Sequence, residues 1–284
     1  MAERIVGHIP EYPKGSSFAS RIELSQAGVH RPRRAGISGN GREGADSVVL
    51  AGRYEETSDC GKEILYTGQG GREPNTGQQI GHQVLTRGNL ALATSRVLGL
   101  PVRVVRGAGL SSPYSPEKGY RYDGLYSVED YWRERGRSGF LLWRFRLCKL
   151  STAKELFMDN RDSDQPPSVI RSIRETAAGR QLKELYHYRC QICGVRLITP
   201  VGPYAEAVHM RPVTAPHHGP DTAENLLCLC PNHHILFELG SIAIADDFTL
   251  LGYEGRLTID FRHRINKAHL RYHRERFWVD PDDA

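Results

Sequence analysis

Between residues 190 and 238 the chain gathers side chains that can hold a metal or move a proton. Cys190-Gln-Ile-Cys193 opens the stretch and Cys230-Pro-Asn-His233 closes it, with His234 directly after. Two such knuckles, each at a turn, can bring four soft ligands round one tetrahedral Zn²⁺. If Cys190, Cys193, Cys230 and His233 take that task, His209, Asn225 and His234 are left over. A free histidine on a strand can act as general base, and an asparagine can hold its loop. A histidine at the start of a helix can ligate a second, catalytic metal. Glu238 stands one helical turn beyond His234, on the same face, where the two can share that metal. The cysteines alone fit a purely structural zinc finger equally well, one that reads DNA without cutting it. The run from Glu224 to Glu238, with that shared face, favours a second metal site beside the first.

The order and spacing of His209, Asn225 and His234, interleaved with the two knuckles, resemble the HNH nucleases over roughly residues 186–240. That resemblance implies a ββα-metal module with a structural zinc. It also implies roles. His209 takes a proton from the attacking water, and Asn225 braces the loop that carries it. His234 binds a divalent ion, Mg²⁺ or Mn²⁺, that polarises the scissile phosphate and stabilises the leaving oxygen. Many members place Asp or His directly before the general base as a metal ligand, whereas this chain has Val208. Glu206 points to the same side as Val208 on an ideal strand, and Glu238 is taken as the second acidic contributor. His217 and His218, in a Pro/Gly loop, read as exposed.

These residues need a scaffold, and 284 residues suffice for two domains with cores of their own. Hydrophobic content of 39% and charged content of 25% fit an ordinary soluble protein, and no apolar run reaches the length of a membrane span. Met1-Ala-Glu-Arg-Ile-Val-Gly-His8 lacks the layout of a signal peptide, so a cytoplasmic protein is expected. In that reducing compartment Cys-x-x-Cys points to metal before disulfide. Cys60, Cys148 and Cys228 read as buried free thiols. A net charge of +5 permits nucleic-acid binding without requiring it.

Residues 1–150 read as one β-rich domain. Ser47–Ala51, Val102–Val105 and Phe140–Leu147 are strand-like, the last alternating as a half-exposed strand should, and Thr86–Leu98 is helical. Gly28-Val-His-Arg-Pro-Arg-Arg-Ala-Gly36, Gly52-Arg-Tyr-Glu-Glu, Tyr66-Thr-Gly-Gln-Gly-Gly71, Leu85–Leu92 and Tyr122-Asp123-Gly124 together resemble the SET and RING-associated (SRA, or YDG) domain. The match covers nearly all of residues 5–148. It implies a crescent-shaped β-barrel with flanking helices that flips a modified cytosine out of duplex DNA into a pocket. 5-Methylcytosine is the expected base, with 5-hydroxymethylcytosine as a second candidate.

Flipping costs about a few kcal/mol of stacking, and aromatic faces return roughly 1–3 kcal/mol per stacked base. By the resemblance, Tyr54 and Tyr66 sandwich the base and Thr67 helps hold its edge. Thr57 stands where many relatives carry an aspartate for the cytosine amine, and Asp59 or Glu56 could substitute. Arg34 matches the thumb that fills the gap left in the duplex. The finger loop Pro74–Ile80 offers Gln78 and Gln79 to the orphaned guanine or its neighbour.

Residues 151–168 read as a linker and residues 169–284 as the nuclease domain. This second domain is entered by a helix from about Ser168 to His187, whose basic face is expected to meet phosphates. Strand-like Ser241–Ala245, Leu250 and Leu251 follow. The basic, aromatic stretch Phe261–Trp278 is expected to pack on this module or touch DNA. The expectation is an α+β chain in which a reader of modified cytosine directs a metal-dependent endonuclease, restricting foreign modified DNA. The competing expectations are a non-catalytic reader and a nicking enzyme, and cutting both strands would call for a homodimer.

Overall fold

Two runs read as short apolar strands, Val102–Val105 and Ser47–Ala51, lie side by side and parallel, buried through Leu50 with Ala51 half-buried at the end. Parallel strands are covered on both faces, which is why these segments carry no polar alternation. They belong to a computed structural model that describes residues 4–51, 57–73, 76–109, 112–150, 176–200 and 202–280. Contacts divide the chain into two units, Met1–Ile170 and Arg171–Ala284. The linker expected at 151–168, the first turns of the helix expected from Ser168, Tyr54 and Glu56 lie outside the described residues.

The first unit holds β1 (Ser17–Phe18), α1 (Arg21–Gln26), β2 (Ile37–Asn40), β3 (Gly44–Leu50), β4 (Ser58–Asp59), β5 (Glu63–Thr67), α2 (Arg87–Leu98), β6 (Val102–Gly107), β7 (Tyr120–Arg135) and β8 (Leu141–Lys149). Its sheet is eight-stranded, in the order β2-β3-β6-β7-β8-β5-β4, with β1 paired to β7. The end strands β2 and β4 are not bonded to each other, so the expected barrel is an open sheet. β7 runs for 16 residues and changes register against both neighbours. Such bulges add twist without closing the sheet. One bulge falls on the Tyr122-Asp123-Gly124 triplet, where Gly124 has φ +104°, a conformation that favours glycine. β8 was expected to be half exposed. Instead Arg144 is buried, because its guanidinium pairs with Glu134 at 2.9 Å and donates to the Thr67 hydroxyl.

The second unit holds α3 (Ala177–Leu185), β9 (Leu197–Thr199), β10 (Gly202–Tyr204), β11 (Glu206–His209), β12 (Leu226–Leu229), α4 (Pro231–Glu238), β13 (Ala243–Ile244), β14 (Leu250–Leu251) and α5 (Lys267–Arg276). β11 and β12 pair antiparallel with His209 opposite Leu226, and α4 follows, giving the ββα unit. Val208, Met210, Leu227, Leu229 and Phe237 fill its core, and Leu270 of α5 joins them. The Phe261–Trp278 segment thus packs on the module through α5, which buries His269, Leu270 and His273. Among the described residues, no helix is long and apolar enough to cross a membrane.

Candidate functional site

Cys190 opens a tight turn in which Gly194 N–H donates to the Cys190 carbonyl at 2.8 Å and Gly194 takes φ +71°. Cys230 caps α4, with Pro231 in its first turn, so His233 comes round on the first helical turn to face the cysteines. His233 Nδ1 lies 3.2 Å from Cys230 Sγ and 3.6 Å from Cys190 Sγ, and Cys193 Sγ is 4.0 Å from Cys230 Sγ. All four ligand atoms fall within 4.8 Å of one another, as the corners of a tetrahedral zinc site should. Burial pushes the Cys190 thiol well above its ordinary value and lowers the pKa of His233. Three thiolates gathered this closely need a cation between them, so the donor set fits zinc.

His209 ends β11, half-buried, with Nε2 3.0 Å from Asp221 Oδ1. Asn225, fully buried at the end of a 3₁₀ turn, directs its side-chain hydrogen bonds to the loop beyond His209. Its Oδ1 accepts from Arg211 N–H at 2.9 Å, and its Nδ2 donates to the carbonyls of Arg211 and Pro220, each at 2.8 Å. Asn225 therefore ties together the two ends of the loop that follows His209. Gly219 is required at this neck, since a Cβ there would come 2.1 Å from the Arg211 carbonyl oxygen.

His234 projects from α4 between two carboxylates. Nδ1 is 2.5 Å from Glu206 Oε2, and Nε2 is 3.6 Å from Glu238 Oε2. Glu206 is itself held by the Tyr204 hydroxyl, which donates to Oε1 at 2.8 Å. Nδ1 and Nε2 lie on different edges of the imidazole, so one carboxylate orients the ring and the other can share a cation with it. The Glu238–His234 pair is the one read from helical spacing. Glu206 reaches the site through the strand alternation already noted at Val208.

Two burial expectations fail, one in this unit and one in the first. His217 is buried rather than exposed. Its Nδ1 bonds the Tyr272 hydroxyl at 2.8 Å, and its carbonyl accepts from Arg211 Nε at 2.6 Å, so it secures the same loop from beneath. Of the cysteines read as buried thiols, only Cys228 is; Cys60 is exposed and Cys148 half-buried. Asp221 carries no such signal in the sequence. It lies within two residues of a proline and a glycine, and nothing in spacing announces that loop closure carries it to His209.

In the first unit, Tyr66 is buried, its hydroxyl close over Gly36, where a Cβ would come within 2.8 Å. Thr67 is buried, and its N–H points to Thr57 Oγ1 at 3.4 Å. The segment after them is fixed from two sides. Asn89 of α2 accepts from Gln69 N–H at 2.8 Å and donates to the Gln69 carbonyl at 2.9 Å, while Gln83 donates to the Gly68 carbonyl at 2.7 Å.

Asp59 is not available as a substitute acceptor for a base. Arg106 grips both its oxygens at 2.7 Å, and Ser112 and Gly61 N–H supply further bonds. Burial opposes its ionisation, but these donors outweigh that and hold the carboxyl below its usual range. Arg34 is exposed on a loop whose carbonyls at Pro32, Arg33 and Ala35 all accept from Arg21. In the finger, Gln79 is spent on the Gly70 and Gly81 carbonyls at 3.0 and 2.8 Å, leaving Gln78 exposed.

The SAD/SRA domain model matches residues 5–152, and the HNH endonuclease model matches residues 190–245. The chain belongs to the SAD/SRA family and carries an HNH endonuclease domain. A modification-dependent TagI restriction endonuclease is 40% identical, covers 96% of this chain and 95% of its own, and superposes with a TM-score of 0.56. The SAD/SRA half is also similar to E3 ubiquitin-protein ligase UHRF1 of Danio rerio, 44% identical over 162 residues, which are 50% of this chain and 21% of that protein. A UHRF1-like protein of Cryptococcus neoformans is 41% identical over 170 residues, covering 56% of this chain and 50% of that protein. The chain thus spans about a fifth to a half of the length of these two relatives.

Proposed function

We propose that this protein is a modification-dependent DNA endonuclease, in which the SAD/SRA unit selects duplex carrying a modified cytosine and the HNH unit cuts nearby. The observation that carries this reading is the similarity to a modification-dependent restriction endonuclease at 40% identity across 96% of the chain, both units included. Specificity belongs to the reader, because a nuclease that holds mainly phosphates carries little sequence information.

In the reader, Tyr66 and Tyr54 would enclose a flipped 5-methylcytosine. Thr67, whose hydroxyl oxygen already accepts from Arg144, has its own proton to donate to the base edge. Arg34 and Gln78 are the side chains free to enter the duplex. In the nuclease, His209 accepts a proton from the attacking water. His234 and Glu238 would hold a divalent ion such as Mg²⁺ or Mn²⁺, with Glu206 orienting the imidazole. Such an ion, when bound, polarises the scissile phosphate and steadies the leaving oxygen. Cys190, Cys193, Cys230 and His233 would hold structural zinc. Double-strand cleavage by one such site per chain calls for a homodimer.

The test is digestion of methylated and unmethylated plasmid with Mg²⁺ or Mn²⁺. The reading expects cleavage of methylated plasmid alone. His209→Ala and His234→Ala should abolish cutting yet still prefer methylated duplex in a gel shift. Binding without cleavage by the parent would leave a non-catalytic reader, and conversion to open circle only would leave a nicking enzyme. Cleavage indifferent to methylation would overturn the assignment of specificity to the reader.

A further inference from the structure

We infer that Asp221 is a positioning residue for His209, accepting the proton on Nε2 and so fixing Nδ1 as the nitrogen that takes the proton from water. The inference rests on the nuclease reading and deepens it. A neutral imidazole carries its proton on one nitrogen, and the partner of that nitrogen decides which one is left basic. Nε2 of His209 lies 3.0 Å from Asp221 Oδ1, and a carboxylate can only accept there. Among the described residues, Asp221 is the hydrogen-bond partner of the His209 side chain. Nδ1 is therefore left with its lone pair, on a side chain still 24% exposed and open to water.

The geometry of this pair is built rather than incidental. Asp221 Oδ1 also accepts from the Thr176 hydroxyl at 3.3 Å, and Thr176 is itself fixed as the N-cap of α3 through Gly179 N–H at 3.1 Å. His209 and Asp221 stand just outside the neck that Asn225 ties at Arg211 and Pro220. Closing that neck is what brings the two side chains together, so the asparagine acts on the base through the carboxylate. After proton transfer His209 is an imidazolium, and the Asp221 charge stabilises it where a backbone carbonyl would do so less.

Two measurements on the full chain test this. Nitrogen NMR of the histidine-labelled protein, with His209→Ala to assign the signal, reads the tautomer directly and needs no cleavage. The expected result is an Nε2-protonated ring in the parent and a shift toward mixed tautomers in Asp221→Ala. In single-turnover cleavage, Asp221→Ala should lose about tenfold or more in rate at saturating protein while its affinity for methylated duplex stays within about twofold. Asp221→Glu should recover part of the rate. An Nδ1-protonated ring in the parent would overturn the inference, as would an unchanged cleavage rate in Asp221→Ala or a loss confined to DNA affinity. If the parent cuts nothing, the nuclease reading fails, and the tautomer still decides whether Asp221 orients His209.

Discussion

The carboxylate of Glu206 lies 2.5 Å from Nδ1 of His234, and Glu238 faces the opposite nitrogen of the same ring at 3.6 Å. The strand position directly before His209 is the apolar Val208, buried in the core, so it can offer no ligand. Glu206, one alternation earlier on the same face and steadied by Tyr204, reaches the His234 ring instead. A metal-bound histidine is held in place by the partner of its other nitrogen, and losing that partner typically costs about 10–100-fold in metal affinity. Glu206→Gln should therefore weaken Mn²⁺ binding by about that factor, read by electron paramagnetic resonance, and cleavage should recover as Mn²⁺ is raised. Glu238→Gln should lose more. Parent-like Mn²⁺ affinity in Glu206→Gln would reduce Glu206 to a packing role.

Zinc is expected to hold the second unit together. Cys193 is the exposed member of the cluster, so Cys193→Ser removes a ligand while disturbing the core least. The variant should lose its zinc and its nuclease unit should melt at a lower temperature, while methylated duplex is still bound by the first unit. Elemental analysis of the folded parent checks the premise. A folded parent without zinc would refute the assignment of these four residues.

In the reader, Asp59 and Tyr66 should behave differently. Asp59→Ala strips Arg106 of one of its two carboxylate partners, leaving Asp123 at 2.8 Å, and Arg106 is buried. Breaking a buried pair on one side costs about 3–5 kcal/mol, so this variant should fall in stability, measured by urea denaturation, rather than change its preference among bases. Tyr66→Ala should instead lose roughly one to two decades of affinity for methylated duplex, the value of about 1–3 kcal/mol of stacking. Its salt-sensitive, non-specific binding should be nearly unchanged. Thr57→Asp should hold or improve discrimination for modified cytosine. Equal binding of methylated duplex by Tyr66→Ala and parent, at matched salt, would remove Tyr66 from the pocket.

His30 makes the reader sensitive to acid. It is fully buried between the Ser47 hydroxyl at 2.9 Å and the Ala35 carbonyl at 3.0 Å, beneath the loop that bears Arg34. Burial, reinforced by Arg21, lowers its pKa from 6.5 to about 3. The unfolded chain therefore takes up a proton near 6.5 that the folded chain refuses until about 3, and stability falls as pH drops through that window. The urea midpoint of the first unit should decline from pH 6.5 to pH 4, and His30→Gln should flatten that decline. An identical slope in the variant would assign the acid sensitivity to other groups.

Much of this protein was settled by sequence alone, because the features concerned are local. The knuckles Cys190-x-x-Cys193 and Cys230-x-x-His233 set their own turns. His234 and Glu238 share a helical face by spacing, and β3 and β6 announce themselves as unbroken apolar runs. The sequence resemblances place both domains for the same reason, since they rest on short motifs that keep their order. Tertiary structure decided what depends on chain closure. Asp221 meets His209 across a loop whose ends the side chain of Asn225 ties together. Asp59 is held at both oxygens by Arg106, which comes from β6, far along the chain. His217, surrounded in sequence by prolines and glycine, is buried because α5 brings Tyr272 over it. A polar side chain's partner is a matter of distance in space, and periodicity along the chain carries no record of it.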